Sequence, residues 1–426
     1  MRILFISQYW EPEQGVVQRR WRWISNALLN ENHQLTVIAP PPHYPGGKEL
    51  SWLPEHKAGS ISEPRPNLKI IRSDFCVHDK TIVSRVKDQA IIAWSSYWAA
   101  KNEIKNAKLA NIPYNVVCCT VPALPSALIA RRVARKAHMP LVIELRDAWP
   151  EILKYMDEWR DPHPGIRNPL SKLKLTITHY MLLLGGKVLE YTLKKANLII
   201  TTTESLAELE RGKGLQNVVA VRNRADTGIP NCNEYPKHDT NELRVLYAGT
   251  VGRAQGLESA IRALAKARKR GANVTMRIAG GGAHINTIRR NAERLSVPVE
   301  FLGRIQFHKV IDQYRWADTI LVHLRDWKPM EYTIPSKLFE AMWAEKHVSA
   351  AIAGEAAQIV TESGIGHVVS PMNEDELADL WVKLFHNRFM LEVDGRGANW
   401  FKNHPSVASL AKDWISAVEK LVEDSK

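Results

Sequence analysis

Residues 243–270 read LRVLYAGTVGRAQGLESAIRALAKARKR, and this stretch decides the fold. Leu243–Tyr247 is a short apolar, β-prone run, and Leu257–Arg270 carries helical patterning. Between them Gly249, Thr250, Val251, Gly252, Arg253, Ala254, Gln255 and Gly256 make a turn. A glycine-containing turn from strand to helix lets backbone N–H groups and the helix dipole meet a phosphate. A tight turn with no ligand has the same pattern.

The unit repeats downstream. Strands are expected at Val274–Ala279, Pro298–Leu302, Thr319–Leu324, His347–Ala351 and Gly366–Val369, with helices at Ile285–Leu295 and Ser336–Glu345 between them. It also repeats upstream. Arg2–Ile6, Gln34–Ala39, Asn67–Ile71, Asn115–Cys119, Leu141–Leu145 and Asn197–Thr201 are short apolar runs separated by helical patterns. Strands that alternate with helices specify a parallel sheet covered on both faces. Residues 222–242 are polar, hold two prolines and lack periodicity, as a linker does. The expected class is therefore α/β with two Rossmann-like, doubly wound halves. Residues 1–222 form the first, 223–242 the linker and 243–400 the second. Residues 401–426 contain an amphipathic helix, Val407–Leu421, able to pack back on the first half.

Length and composition agree. A chain of 426 residues, 45% hydrophobic and 24% charged, has ample material for two domains and is neither disordered nor fibrous. Its four cysteines (Cys76, Cys118, Cys119, Cys232) form no CxxC pair and no Cys/His ligand spacing, so no disulfide framework or zinc site is expected. Met1-Arg2 leads straight into Ile3–Ile6 and then polar residues, unlike a secretory leader. The uncharged run Leu109–Ala130 contains Pro113, Pro122 and Pro125 and reads as strand, turn and helix start. A cytoplasmic protein, at most peripheral to a membrane, is expected.

Charge is uneven. Residues 1–222 hold 31 Lys+Arg against 20 Asp+Glu, and residues 223–426 hold 27 against 25. A basic surface attracts nucleic acid, anionic lipid or phosphorylated metabolites. No recognition motif interleaves these cations, which speaks against nucleic acid.

Further signals follow the same strand ends. Ala279-Gly280-Gly281-Gly282 is a second glycine turn. In Glu331-Tyr332-Thr333-Ile334-Pro335-Ser336-Lys337-Leu338-Phe339-Glu340, Pro335 suits a helix start. Lys337 in the first turn opposes the helix dipole unless an anion sits beside it. Glu340 on an apolar stretch needs partners such as ribose hydroxyls, or else pairs with Lys337 on a solvated surface. Gly354-Glu355 ends the next strand. After Leu141–Leu145 come Arg146 and Asp147, at the strand end where open α/β sheets bind ligands; a turn-capping role for Asp147 is the alternative.

Read in order, YAGTVG, RIAGGG, VEFLGRI, IPSKLFEAMWAEKHV and GEAAQIV resemble the donor domain of family-4 retaining glycosyltransferases of the GT-B fold. RILFISQYWEPEQG, ENHQLTVIAPPPHYPGG and ELRDAWPE are similar to the acceptor domain of that family, most closely its bacterial surface-polysaccharide subgroup that uses nucleotide-activated amino sugars. The resemblance implies two Rossmann-like domains facing a cleft. It implies transfer of an N-acetylated or related sugar from a UDP-sugar to a polyprenyl-linked or saccharide acceptor. No DxD motif for a metal stands in the right setting, so the transfer is expected to need no metal or other cofactor.

Carried over by position, Glu340 is the family's ribose-binding second glutamate. The first glutamate's place is held by Tyr332, with Glu331 one position away. The family's Arg and Lys on the diphosphate fall at Thr250 and Gln255, so Arg253 and Lys337 are the substitutes expected to neutralise it. Gly249, Thr250, Gly252, Gly280, Gly281, Gly282, Tyr332, Pro335, Ser336, Gly354 and Glu355 complete the donor side. On the acceptor side, Gln14-Gly15-Val16 stands where the family has a Gly-Gly pair, and Gly15 is the glycine that remains. Arg19 follows it, and Arg146 or Asp147 stands where many members have a histidine. Catalytic roles fall to Asp147, Glu331, Arg253 and Lys337. Arg20 and Arg22 read as a solvated basic face opposite Trp21. Aromatic and aliphatic residues beside Lys/Arg in Val83–Asn111 and Ile166–Lys195 suit an anionic membrane surface, or helices covering a sheet. A GT-B nucleotide-sugar epimerase and a basic nucleic-acid-binding protein are the other readings.

Overall fold

The computed structural model describes residues 1–13, 15–44, 46–78, 82–121, 124–159, 169–224, 228–232 and 241–425. The chain forms two units, Met1–Asn223 with Val407–Lys426, and Arg224–Ser406.

The first unit is built on strands β1 (Arg2–Ile6), β2 (Gln34–Ala39), β3 (Ile61–Arg65), β4 (Leu68–Arg72), β5 (Val116–Val121), β6 (Leu141–Leu145), β7 (Leu198–Thr201) and β8 (Val218–Ala220). They lie in the order β3-β4-β2-β1-β5-β6-β7-β8. All six residues of β5 are buried, as expected of a strand covered on both faces. One cluster joins Ile3, Phe5, Val37, Val116 and Val142 to Trp21, Ile24 and Leu28 of the helix Val16–Asn30, and to Leu410, Trp414 and Val418 of the helix Val407–Asp424. Trp21 and Trp414 meet edge to face, 5.4 Å between ring centres. The last helix of the chain therefore completes the core of the first unit.

The second unit holds β9 (Leu243–Ala248), β10 (Val274–Ala279), β11 (Val299–Gly303), β12 (Thr319–His323), β13 (His347–Ala351) and β14 (Gly366–Val369), ordered β11-β10-β9-β12-β13-β14. Every pairing is parallel. Val245, Tyr247, Leu257, Ile261, Met276 and Trp381 belong to its core. Each sheet reverses its strand order once, between β1 and β5 and between β9 and β12. At such switch points the crossover helices diverge and leave a crevice beyond the strand ends.

Two strands escape the sequence reading. β3 (ISEPR) is antiparallel to β4 and lies at the sheet edge, so the first sheet is not wholly parallel. Its polar residues and Pro64 are tolerated there because an edge strand has one unpaired side. β8 is only three residues long, too short to show a pattern. Of the expected linker, residues 225–227 and 233–240 lie outside the described residues. Cys232 is buried, and its amide donates to the Ala344 carbonyl at 3.0 Å.

Candidate active site

The donor-side residues gather beyond the carboxyl ends of β9 and β10. Gly249 donates its amide to the Ala279 carbonyl at 2.8 Å, and Val251 donates to the Gly281 carbonyl at 3.1 Å. The two glycine turns thus run side by side. A Cβ on Gly280 would lie 1.8 Å from the Gly249 oxygen, and one on Gly282 would lie 2.2 Å from the Val251 oxygen. Gly249 and Gly280 both have φ near +143°, a region L side chains rarely adopt. Glycine is required here by close approach and by backbone conformation together.

Lys337 completes this cluster. It sits in the first turn of the helix Ser336–Trp343 and is only 8% exposed. Its Nζ donates to the Tyr247 hydroxyl at 2.8 Å, and that hydroxyl donates to the Thr250 carbonyl at 2.6 Å. The ammonium also lies 4.1 Å from the centre of the Tyr247 ring. Burial lowers the Lys337 pKa to about 8, against a smaller opposing pull from Glu340. The solvated Lys337–Glu340 surface pair left open by the sequence is therefore excluded, because Lys337 is buried. Half-buried Glu340 lies one turn on, and its Oε2 accepts from the Tyr314 hydroxyl at 3.3 Å.

Other candidates follow the carboxyl ends of β9, β12 and β13. Arg253 lies in a single turn, Arg253–Gln255, that follows Gly252 and ends at Gly256. The Arg253 carbonyl accepts from Arg325 Nε at 2.8 Å, and Arg325 is in turn paired with Glu258. The Gln255 carbonyl contacts His323 Nδ1 at 2.8 Å. His323 is wholly buried, and burial lowers its pKa to about 4, so it is neutral at physiological pH. Pro335 precedes the helix Ser336–Trp343, with Ser336 its first residue. Gly354 packs against Glu331: a Cβ there would lie 2.1 Å from the Glu331 oxygen. Glu331 is paired with Lys328 at 2.7 Å, beside half-buried Tyr332. Glu355 is buried at the start of the helix Glu355–Ser363.

The acceptor-side candidates belong to the first unit. Gly15 precedes the helix Val16–Asn30 with extended backbone, so its conformation does not demand glycine. Gln14 lies outside the described residues. Arg19 is half-buried. Arg20 contradicts the expected solvated face: its side chain is fully buried and its Nε donates to Glu144 Oε1 at 2.7 Å. Trp21 Nε1 donates to the other oxygen of Glu144 at 2.9 Å. Arg22 is exposed and pairs with Glu11 at 2.5 Å. Arg146, at the end of β6, is buried, and burial lowers its pKa to about 10. Burial also raises the pKa of Asp147, while Arg146 opposes that rise.

Sequence reasoning missed Tyr247, Tyr314, Arg325 and Glu144. Tyr247 stands inside the quoted strand, but an aromatic in a β run reads as core, and only the turn of its hydroxyl toward Lys337 gives it a polar task. Glu144, a lone acid among apolar residues of β6, was the available signal for a buried cation partner.

Residues 242–387 match the family model for Glycosyl transferases group 1. The whole chain is similar in fold to sucrose-phosphate synthase from Thermosynechococcus elongatus, with a TM-score of 0.71, 14% identity and 99% of each chain covered. It is similar to the Anabaena protein HepE in complex with UDP, with a TM-score of 0.62 and 14% identity over 99% of this chain and 100% of that one. WaaG, a glycosyltransferase involved in lipopolysaccharide biosynthesis, gives a TM-score of 0.62 at 16% identity, over 97% and 98% of the two chains. No curated protein matches the sequence. The fold is GT-B, and together with the domain match it supports a glycosyltransferase of the GT-B type.

Proposed function

We propose that the protein transfers a sugar of the N-acetylated amino-sugar class, with retention of configuration, from a UDP-sugar to a lipid-linked or saccharide acceptor in envelope polysaccharide assembly. The observation that carries this reading is Lys337: a cation held out of water beside two interlocked glycine turns. A buried ammonium costs free energy unless an anion meets it. A diphosphate laid against the turns would meet Lys337 and the amino end of the helix Ser336–Trp343 together. Arg253 supplies further positive charge, and Glu340 accepts from the ribose hydroxyls. The HepE structure holding UDP supports the choice of nucleotide by analogy of fold.

In the reaction the anomeric carbon–oxygen bond to the diphosphate breaks as the acceptor oxygen bonds to the same face of that carbon. The acceptor proton passes to the departing diphosphate. Negative charge grows on the leaving group, and fixed cations and amide dipoles stabilise it without reorganising. Asp147 orients the acceptor hydroxyl, and Arg146 beside it carries the positive charge for an anionic acceptor. No metal enters this scheme. Purified protein given UDP-sugars and polyprenyl-linked saccharide acceptors in EDTA is expected to form a glycoside with the anomeric configuration of the donor. Consumption of the donor at equal rate without any acceptor would replace this reading with the epimerase.

Contact with an anionic membrane belongs to the same proposal. Trp94 and Trp98 are exposed on the helix Ile82–Leu109, and Tyr180, Met181 and Leu184 are exposed on the helix Pro169–Leu193. Both helices pack on the helix Leu124–Ala137. The Lys101 ammonium lies 4.5 Å from the Trp98 ring centre. Among the described residues no helix is long and apolar enough to cross a membrane. Aromatic and aliphatic tips beside cations insert at the headgroup level instead. The protein is expected to float with phosphatidylglycerol vesicles and not with phosphatidylcholine. Exchanging Trp94, Tyr180 and Leu184 for Ser should release it, and unchanged flotation would refute this face.

A further inference from the structure

In the first unit the fold joins three side chains that sequence spacing kept apart. His43 follows β2, His78 follows β4, and Asp88 lies in the helix Ile82–Leu109. One ligand atom from each lies within 4.8 Å of the other two. We infer that His43, His78 and Asp88 form a binding site for a divalent transition-metal ion of the zinc class. The absence of Cys/His ligand spacing in the sequence therefore does not exclude a metal centre, because the ligands come from three separate elements.

Three independent features point to a ligand. Asp88 is 1% exposed, yet among the described residues its Oδ2 has no hydrogen-bond partner. The nearby His78 Nε2 is 3.8 Å away, too far for a hydrogen bond. A buried carboxylate oxygen left in this state is costly, and a cation removes the cost.

The ligands are also oriented from behind. His43 Nδ1 lies 2.9 Å from the Pro41 carbonyl, which accepts its proton and leaves the Nε2 lone pair for a metal. The Cys76 amide donates to Asp88 Oδ1 at 3.1 Å and fixes that carboxylate. Histidines braced by carbonyls and carboxylates braced by N–H donors are the outer shell that metal sites require.

The loops are tied to each other as well. Gly47 donates its amide to the His43 carbonyl at 2.9 Å and accepts from the His78 amide at 2.9 Å. Both histidines are thus held by backbone whether or not an ion is present. Zinc bonds of about 2.0–2.2 Å set neighbouring ligand atoms roughly 3.3–3.5 Å apart, so the cluster closes by about an ångström on binding. Two imidazoles and one carboxylate favour Zn²⁺, Co²⁺ or Fe²⁺ over Mg²⁺ or Ca²⁺. Three protein ligands leave a fourth position for water or another oxygen donor. This site is independent of the nucleotide reading and stands or falls without it.

The test uses the full chain, stripped with chelator and dialysed, then titrated with Zn²⁺ against a chromophoric competitor. One equivalent is expected to bind, and Mg²⁺ should not displace it. His78→Gln and Asp88→Asn should each weaken binding more than about 100-fold, beyond what loss of an outer-shell partner costs, whereas His308→Gln, at an exposed histidine of the second unit, should leave it unchanged. If the variants misfold, Co²⁺ loaded into the unaltered chain still decides. A ligand-field spectrum of low-symmetry, four- or five-coordinate cobalt without a thiolate charge-transfer band supports the three ligands named. A thiolate band, a hexa-aquo spectrum, or Zn²⁺ affinity that His78→Gln and Asp88→Asn leave intact would overturn the assignment.

Discussion

Replacing Lys337 by Met is expected to weaken UDP binding about 100-fold, to lower kcat by about 10²–10³ and to leave uridine binding unchanged. The ammonium is the buried cation of the donor cluster, and its proposed partner is the diphosphate, not the base or the sugar. The same change should not lower thermal stability, because it removes a buried charge and keeps the volume of the side chain. Stability retained with binding lost separates a functional lysine from a structural one. The pH dependence has a definite sign. With its pKa lowered to about 8, Lys337 is charged at pH 7 and loses its proton as the pH rises through that value. UDP affinity should therefore fall above about pH 8, and binding at that pH should take up a proton. Stability of the unliganded chain should move the other way and rise above pH 8, since the unfolded lysine still holds its proton there. Lys337→Met should abolish both effects. Flat UDP affinity from pH 7 to 9, or equal losses for UDP and uridine in the variant, would remove Lys337 from the diphosphate.

Glu144→Ala is expected to destabilise the chain by about 3–5 kcal/mol, the cost of leaving a buried charge without its partner. Glu144 serves two donors, Arg20 Nε and Trp21 Nε1, and neither residue has access to water. Burial alone would raise the Glu144 pKa, but Arg20, Arg146 and the two hydrogen bonds outweigh it and hold the carboxyl below the usual range. This contribution to stability is present at neutral pH and is lost as the pH falls below the acid's ordinary value. For a unit of this size the midpoint should drop by roughly 10 °C. Arg20→Met combined with Glu144→Leu should recover part of the loss, because the pair then leaves together while the Trp21 donor and the buried Arg146 charge lose the carboxylate that met them. Denaturant unfolding of the three variants checks this. A loss under 1 kcal/mol for Glu144→Ala would mean that Arg20 finds another partner.

The second unit was the more legible in sequence because its strands and glycine turns are local. Gly249 and Gly280 announce strand-to-helix turns within a few residues of the strands they end, and the helix behind each turn follows at once. Lys337 stands out in the sequence because a lysine in a first helical turn is out of place there. Its burial was not readable, since that depends on Tyr247, distant in sequence, turning its hydroxyl to meet the ammonium. Arg20 failed for the same reason. Arg20 and Arg22 on either side of Trp21 look like a solvated face, and only the pairing with Glu144 shows that one of them points inward. The edge strand β3 was invisible because an edge needs no apolar alternation. The cluster of His43, His78 and Asp88 draws on a loop, a second loop and a helix, so no spacing rule could assemble it.

Isothermal titration of the full chain with UDP, GDP and uridine, with and without EDTA, tests the central claim most directly. The account predicts UDP binding that survives EDTA and is at least about 100-fold tighter than uridine binding, which places the recognition on the diphosphate. Absence of nucleotide binding by a folded protein, or equal affinity for UDP and uridine, would contradict it.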